Sequence, residues 1–185
     1  MTATGEREVL LTGIGGQGVQ LAARVLAEAA ILDGREVQLF ASYGGMMRGG
    51  NTDATVVIAD DPVDAPPVVA KAWAVLGIHA AHLADPLTRL RDDGVLLLNT
   101  TVVDPDEIDT PEGVTRIEHA VSTIAQEVGN PMAGSLVAIG ALAAATGIVA
   151  VDSLASAMAD ALPPYRRQHA ETSVAAIRAG AELAA

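Results

Sequence analysis

Six residues, Gly13-Ile14-Gly15-Gly16-Gln17-Gly18, stand between the apolar run Val9 to Thr12 and the segment Val19 to Leu32, whose apolar residues recur at helical spacing. Glycines at 13, 15 and 18 spell Gly-x-Gly-x-x-Gly, the fingerprint of dinucleotide-binding turns. The chemistry is that of anion contact. Glycines let the backbone turn tightly and approach a ligand, and a helix N-terminus offers unpaired N–H groups and partial positive charge. A dinucleotide needs one thing more, a carboxylate at the end of the second strand to hold the ribose hydroxyls. Here that strand ends Phe40-Ala41-Ser42-Tyr43, with no acid. An NADP variant would want an arginine nearby, and the candidate, Arg48, lies in a glycine loop of different character. Gly15, Gly16, Gln17 and Gly18 therefore read first as a close-contact or anion-facing surface. A stand-alone NAD(P)- or nucleotide-binding protein is the alternative, and a ligand-free strand-to-helix turn is the third reading.

A second constellation is Ser42 to Asn51, SYGGMMRGGN. Glycines at 44, 45, 49 and 50 make a loop able to come close to another molecule. Arg48 can fork onto a phosphate or carboxylate, with Gly49 and Gly50 adding backbone donors, or it can pair with a local acid such as Asp53. Met46 and Met47 supply adaptable apolar contacts. A third is Gly129 to Gly147, where Asn130 suits a helix N-cap and Pro131 the first helical position. Gly134 and Gly140 in that helix would let a neighbour pack closely.

No catalytic set accompanies these surfaces. His79 and His82 are three apart without a nearby Cys or Glu to complete a metal set, and His119 and His169 are isolated. No Gly-x-Ser-x-Gly elbow and no phosphate-binding loop with its lysine is present. We therefore expect no catalytic and no metal-binding residue in this chain.

The elements that must hold these residues alternate along the chain. Strands are expected at Val9–Thr12, Val37–Ser42, Thr52–Ala59, Trp73–Ile78, Val95–Asn99 and Thr115–His119. Helices are expected at Val19–Leu32 (ended by Asp33-Gly34), after Pro66-Pro67, and at Ala80–Arg91, Ser122–Val128, Met132–Thr146, Ser153–Leu162 and Tyr165–Ala184. Asp104 to Gly113 reads as a loop. Continuous apolar strands interleaved with helices mean a mostly parallel sheet covered on both faces, a three-layer α/β/α Rossmann-like domain with a helical C-terminal third. Its ligands collect at the carboxyl ends of the strands. There the pattern places Gly13 to Gly18, Ser42 to Gly50, Ile78-His79 and Asn99-Thr100. The Met132 helix, apolar nearly all round, is a core or interface helix, too short to span a membrane.

Composition narrows the class. With 185 residues the chain can bury a core as one domain, residues 1–185, behind a polar tail over 1–7. A formal charge of −12 argues against nucleic acid and anionic membranes. The cysteine count of 0 removes disulfides, thiolate catalysis and any iron–sulfur cluster held by its own thiolates. The N-terminus shows no apolar signal segment, so a cytoplasmic location is expected.

GIGGQGVQLAARVLAEAAILDG followed by SYGGMMRGGNTDATVVIADDPV resembles the gamma subunit of the 2-oxoacid:acceptor (ferredoxin) oxidoreductases, the pyruvate, ketoisovalerate and 2-oxoglutarate oxidoreductase gamma family. The likeness continues through Ala74 to Gly77, Val95 to Asn99, and the Asn130 helix to Ile139-Gly140-Ala141-Leu142, and so covers nearly the whole chain. It implies a subunit, not catalytic alone, of an enzyme that oxidatively decarboxylates a 2-oxo acid to an acyl-coenzyme A. Thiamine diphosphate with Mg and [4Fe-4S] clusters would belong to other chains, the alpha and beta thiamine-binding subunits and a ferredoxin-like subunit. Coenzyme A would be the co-substrate. Carried over by position, Gly15, Gly16, Gln17 and Gly18 would form the turn, and Tyr43, Arg48, Gly49 and Gly50 the interface or coenzyme-facing loop, with Asn130 at the same rim. One departure stands out: family members commonly carry Pro-Glu or another polar pair before Arg-Gly-Gly, whereas this chain has Gly45-Met46-Met47. Two thioethers would favour an apolar or aromatic oxo acid, while the RGGNTDATV context is similar to the 2-oxoglutarate branch.

Overall fold

Strands and helices alternate as expected in the computed structural model, which describes residues 5–43, 50–63, 69–162 and 169–183. In chain order they are β1 (Arg7–Ile14), α1 (Val19–Leu32), β2 (Glu36–Tyr43), β3 (Asn51–Ala59), β4 (Ala72–Gly77), α2 (Ala84–Arg89), β5 (Leu90–Asn99), β6 (Thr115–His119), α3 (Val121–Glu127), α4 (Gly134–Thr146), α5 (Val151–Ala161) and α6 (Ala170–Glu182). The strands form one sheet in the order β2-β3-β1-β4-β5-β6. β1, β4, β5 and β6 are parallel neighbours, whereas β3 runs antiparallel to both β1 and β2. Chain length explains the exception. Only residues 44–50 join β2 to β3, and a parallel return would need a crossover of about a dozen residues or more.

The two faces are covered unequally. On one, Leu11, Val56, Leu76 and Leu97 meet α1 and the C-terminal helices, all in one buried cluster with Leu26, Ile139, Leu142 and Ile177. On the other, Leu10, Val57, Val75, Leu96 and Leu98 are closed by Leu83, Leu87 and Val103, from α2, a 3-10 turn at Ala80–His82 and the segment after β5. Each fully buried Leu or Ile contributes about 1.5–3 kcal/mol of hydrophobic free energy. With almost no aromatics, the core gains its density from small residues that let helices approach. α4 is the extreme case, buried from Gly134 to Ala143. It is a core helix of this chain, packed against α6, α3, α5 and α1, and not a free subunit face. A Cβ on Gly140 would lie 2.0 Å from the Ile177 carbonyl oxygen of α6, and a Cβ on Gly180 2.0 Å from the Val137 oxygen of α4.

Several boundaries differ from expectation, for local reasons. α3 ends in a Schellman motif: Gly129 has φ +82, its N–H donates to the Gln126 carbonyl, and the Asn130 N–H donates to Ala125. Asn130 thus closes α3 instead of capping α4, which starts at Gly134 with Ala133 as N-cap. The expected Ala80–Arg91 helix breaks into the 3-10 turn and α2, and Leu90-Arg91 already belong to β5. β1 starts at Arg7, whose guanidinium stacks on Trp73 at 4.7 Å. No helix follows Pro66-Pro67 where the chain is described: residues 69–71 are irregular and Ala72 already starts β4, while 64–68 lie outside the described residues. The acidic loop holds a 3-10 turn at Pro105–Glu107, fastened by Arg116 donating to the Pro105 and Ile108 carbonyls (2.7 and 2.8 Å). At the end of α1, Asp33 accepts from the Ala150 N–H at 2.6 Å and from the Ser153 hydroxyl, tying α1 to the start of α5. Among the described residues no helix is long and apolar enough to cross a membrane.

Candidate functional site

The glycine turn leaves the carboxyl end of β1 and delivers the chain into α1. Gly16 (φ +107) is exposed, and Gly18 (φ 75, ψ 14) is the N-cap of α1, which no side chain caps and whose first turn holds no acid. Positive φ at both positions is the reason for glycine there. Gln17 folds back into the turn. Its Oε1 accepts from the Ile14 N–H at 2.9 Å, while its own N–H donates to the Ile14 carbonyl at 3.2 Å. Its carbonyl accepts from Ser135 Oγ at 2.7 Å, a fully buried hydroxyl in the first turn of α4. Through Oε1 the side chain of Gln17 therefore braces the turn. On the outer side lies Met132, 60% exposed, with its Cε 3.6 Å from where a Gly16 Cβ would be.

The hairpin between β2 and β3 meets this turn. The Gly15 N–H donates to the Gly50 carbonyl at 2.9 Å, and Ile14 pairs with Asn51 across the β1–β3 ladder. Gly50, the last glycine of the second motif, is thus hydrogen-bonded to the turn formed by the first. Arg48 and Gly49 lie outside the described residues. Tyr43 ends β2, paired through the ladder with Thr52. Asn130 is held elsewhere, its Nδ2 donating to Ser173 Oγ of α6 at 3.2 Å. The segment that follows it does reach the turn, for the Met132 carbonyl lies 3.1 Å from a Cβ placed on Gly18.

Two features set the turn apart from a dinucleotide site. β3 lies between β1 and β2, so the end of β2 is two strand spacings from the turn, about 10 Å, where a ribose-binding acid would sit one spacing away. The crevice between β1 and β4 is closed by the chain itself. The Ile78 N–H donates to the Thr12 carbonyl at 2.9 Å, and Thr12 Oγ1 comes within 3.3 Å of the His82 carbonyl. His79 caps the 3-10 turn, accepting from the Ala81 N–H at 3.2 Å. Asn99, fully buried at the end of β5, donates to the Ile78 carbonyl and Ser122 Oγ (both 2.9 Å) and accepts from the Thr101 and Ser122 N–H groups. These rim residues hold β4, β5 and α3 in register.

Sequence reasoning passed over one cluster. Thr12, fully buried, donates through Oγ1 to Asp53 Oδ1 at 2.7 Å, and Asn51 Nδ2 donates to Asp53 Oδ2 at 2.7 Å. Among the described residues Asn51 Oδ1 is buried without a hydrogen-bond partner. The available signal was an acid in the β-branched run Thr52 to Ile58, since Asp is disfavoured in strands. Shallow clefts lie at the opposite rim, one of about 410 Å³ lined by Lys71, Arg91, Asp92 and Asp93 and one of about 210 Å³ lined by Gly5, Glu6 and Ala59 to Pro62. Arg91 there is engaged by the Glu8 carboxylate at 2.6 Å. Among the described residues no three His, Cys, Asp or Glu side chains gather as a metal site.

Comparison with known proteins agrees with this geometry. The model of the family described as pyruvate ferredoxin/flavodoxin oxidoreductase matches residues 8–183. The 2-oxoglutarate synthase subunit KorC of Methanothermobacter marburgensis is 35% identical over 182 residues, 96% of this chain and 96% of its own. The crystal structure of the keto/oxoacid ferredoxin oxidoreductase gamma subunit from Geobacter sulfurreducens superposes with a TM-score of 0.80 at 31% identity, covering 97% of each chain. The fold also recurs in the 2-oxoglutarate:ferredoxin oxidoreductase of Magnetococcus marinus, solved with 2-oxoglutarate, coenzyme A and succinyl-CoA bound. That match has a TM-score of 0.84 at 18% identity and covers 97% of this chain and 31% of that one.

Proposed function

We propose, from the premise that this chain belongs to the pyruvate ferredoxin/flavodoxin oxidoreductase family and is the gamma subunit of a 2-oxoacid:ferredoxin oxidoreductase, that its glycine turn and hairpin form the coenzyme A side of the active site. Thiamine diphosphate with Mg and [4Fe-4S] clusters, on alpha, beta and ferredoxin-like partner chains of a cytoplasmic complex, supply the decarboxylation chemistry and the electron path. This chain orients the acyl acceptor. In this reading the N-terminus of α1, uncapped by a side chain, offers backbone N–H groups to a phosphate, and Arg48, two residues before Gly50 in the sequence, is assigned as the charged fork. The observation that supports the reading is the hydrogen bond from the Gly15 N–H to the Gly50 carbonyl, which joins the glycine turn to the last residue of the Arg-Gly-Gly sequence.

Magnitudes favour a shared site. A helix terminus contributes about 0.3–2 kcal/mol and one charge-assisted contact about 1.5–3 kcal/mol, together about 2–5 kcal/mol. Micromolar affinity needs about 8 kcal/mol, so the partner chains must supply the rest. The isolated chain should bind coenzyme A no tighter than about millimolar by calorimetry. In the assembled enzyme Arg48→Ala should raise the KM for coenzyme A about tenfold or more, one lost charge-assisted bond. An unchanged KM, with unchanged assembly, would return Arg48 to pairing with a local acid and remove the reading's main side chain. For substrate we assign 2-oxoglutarate, supported by the RGGNTDATV segment. Viologen reduction by the native complex over a panel of 2-oxo acids, with and without coenzyme A, tests it. A higher kcat/KM for phenylglyoxylate or indolepyruvate would shift the weight to Met46 and Met47.

A further inference from the structure

Asp53 stands in a strand paired on both sides, opposite Thr12 of β1 and Ser42 of β2. A carboxylate is costly in such a place unless something holds it, and here both oxygens are used. Oδ1 accepts from Thr12, whose hydroxyl also approaches the His82 carbonyl, and Oδ2 accepts from the Asn51 amide. Asn51 is the first residue of β3, directly after Gly50, and Gly50 is bonded to the glycine turn. The carboxylate thus fixes the point at which the Arg-Gly-Gly hairpin re-enters the sheet, relative to the strand that launches the turn. It also fixes which way the Asn51 amide faces, because only the NH2 group can donate to a carboxylate. Among the described residues that orientation leaves Asn51 Oδ1 buried and unpaired, a desolvation cost that a purely structural contact would have little reason to keep.

We propose that Asp53 is a positioning residue for coenzyme A: through Asn51 and Thr12 it sets Gly50 and the start of β3 against the glycine turn without itself touching the ligand. The proposal rests on the coenzyme A reading given above. It is tested in the reconstituted complex with every partner chain present. Asp53→Ala is expected to raise the KM for coenzyme A about tenfold, the effect of one lost hydrogen bond to a charged group, while the KM for the 2-oxo acid moves less than about twofold. Asp53→Asn should stay within about threefold of wild type. Its carbonyl still accepts from Thr12, and Asn51 can turn over so that its free Oδ1 accepts from the new NH2. Asn51→Asp should be as damaging as Asp53→Ala, since two carboxylates then face each other. Combining Asn51→Asp with Asp53→Asn restores a donor–acceptor pair and should recover the KM for coenzyme A.

A uniform change in both KM values, or no rescue by the exchanged pair, overturns the proposal. So does an unchanged coenzyme A KM in Asp53→Ala. If Asp53→Ala does not assemble, the near-isosteric Asp53→Asn and the exchanged pair decide the question. Arg48→Ala run alongside separates the two levels. If it raises the KM for coenzyme A and Asp53→Ala does not, only the positioning role falls; if neither responds, the coenzyme A reading falls and takes the positioning role with it.

Discussion

Glycine does two different jobs at two places in this molecule. In the turn after β1, Gly16 and Gly18 are needed for their backbone angles, with φ of +107 and +75, and a Cβ there would meet nothing closer than 3.1 Å. At the α4–α6 contact, Gly140 and Gly180 have ordinary helical backbones and are needed for their emptiness, each with a carbonyl oxygen of the other helix 2.0 Å from where a Cβ would stand. The turn can tolerate a residue that adopts left-handed angles. The helix contact can tolerate none with a side chain. The turn can thus remain adjustable, while the α4–α6 contact has a single solution.

The largest effect should come from the helix contact. Gly140→Ala or Gly180→Ala must push α4 and α6 apart, and overpacking of this kind costs about 3 kcal/mol or more. Chemical denaturation should show that loss as a lower midpoint. A loss below about 1 kcal/mol would mean the helices slide past each other at little cost and that the contrast is one of degree. Gly18→Ala comes second, at about 1–2 kcal/mol for a left-handed non-glycine residue, and Gly18→Asn should recover part of it because Asn visits that region more readily. Equal losses for Ala and Asn would mean that the Met132 carbonyl, not the backbone angle, excludes a side chain at Gly18.

These two roles were unequally legible in the sequence. Strand order apart, the fold followed from apolar runs alternating with helical spacing, and both the Gly13–Gly18 turn and the helix-packing role of Gly140 could be read from position. Three things were not visible. The short 44–50 connection already requires β3 to run antiparallel to β2, but its insertion between β1 and β2 is displayed only by the paired registers with both. Asn130 has the residue type of an N-cap, but Gly129 beside it makes the Schellman end of α3 and wins, since its left-handed backbone lets its own N–H and that of Asn130 satisfy two carbonyls of α3. Asp53, Thr12, Ser135 and Asn99 are polar residues distant in sequence whose value lies only in being adjacent in space. Nothing local marks them beyond an acid in a strand or an Asn at a strand end. The glycine turn of the candidate site was therefore legible, whereas the braces that hold it were not.

Ser135 joins the two regions and gives the smallest but most discriminating test. It sits beside Gly134 at the buried start of α4, and its hydroxyl donates to the Gln17 carbonyl in the turn. Ser135→Ala leaves that carbonyl short of a partner and should cost about 1 kcal/mol in equilibrium unfolding. The informative quantity is how this loss combines with the others. Gly18 and Ser135 flank the same short segment, since a Cβ on Gly18 would press on the Met132 carbonyl and Ser135 anchors the residue before Gly18. Gly18→Ala and Ser135→Ala should therefore be non-additive by about 0.5 kcal/mol or more. Ser135 and Gly140 are five residues apart on one helix, about 7.5 Å along its axis, and Ser135→Ala with Gly140→Ala should add to within about 0.5 kcal/mol. If the second pair couples and the first does not, the turn is fixed by how α4 packs on α6, and its glycines are no more adjustable than those of the core.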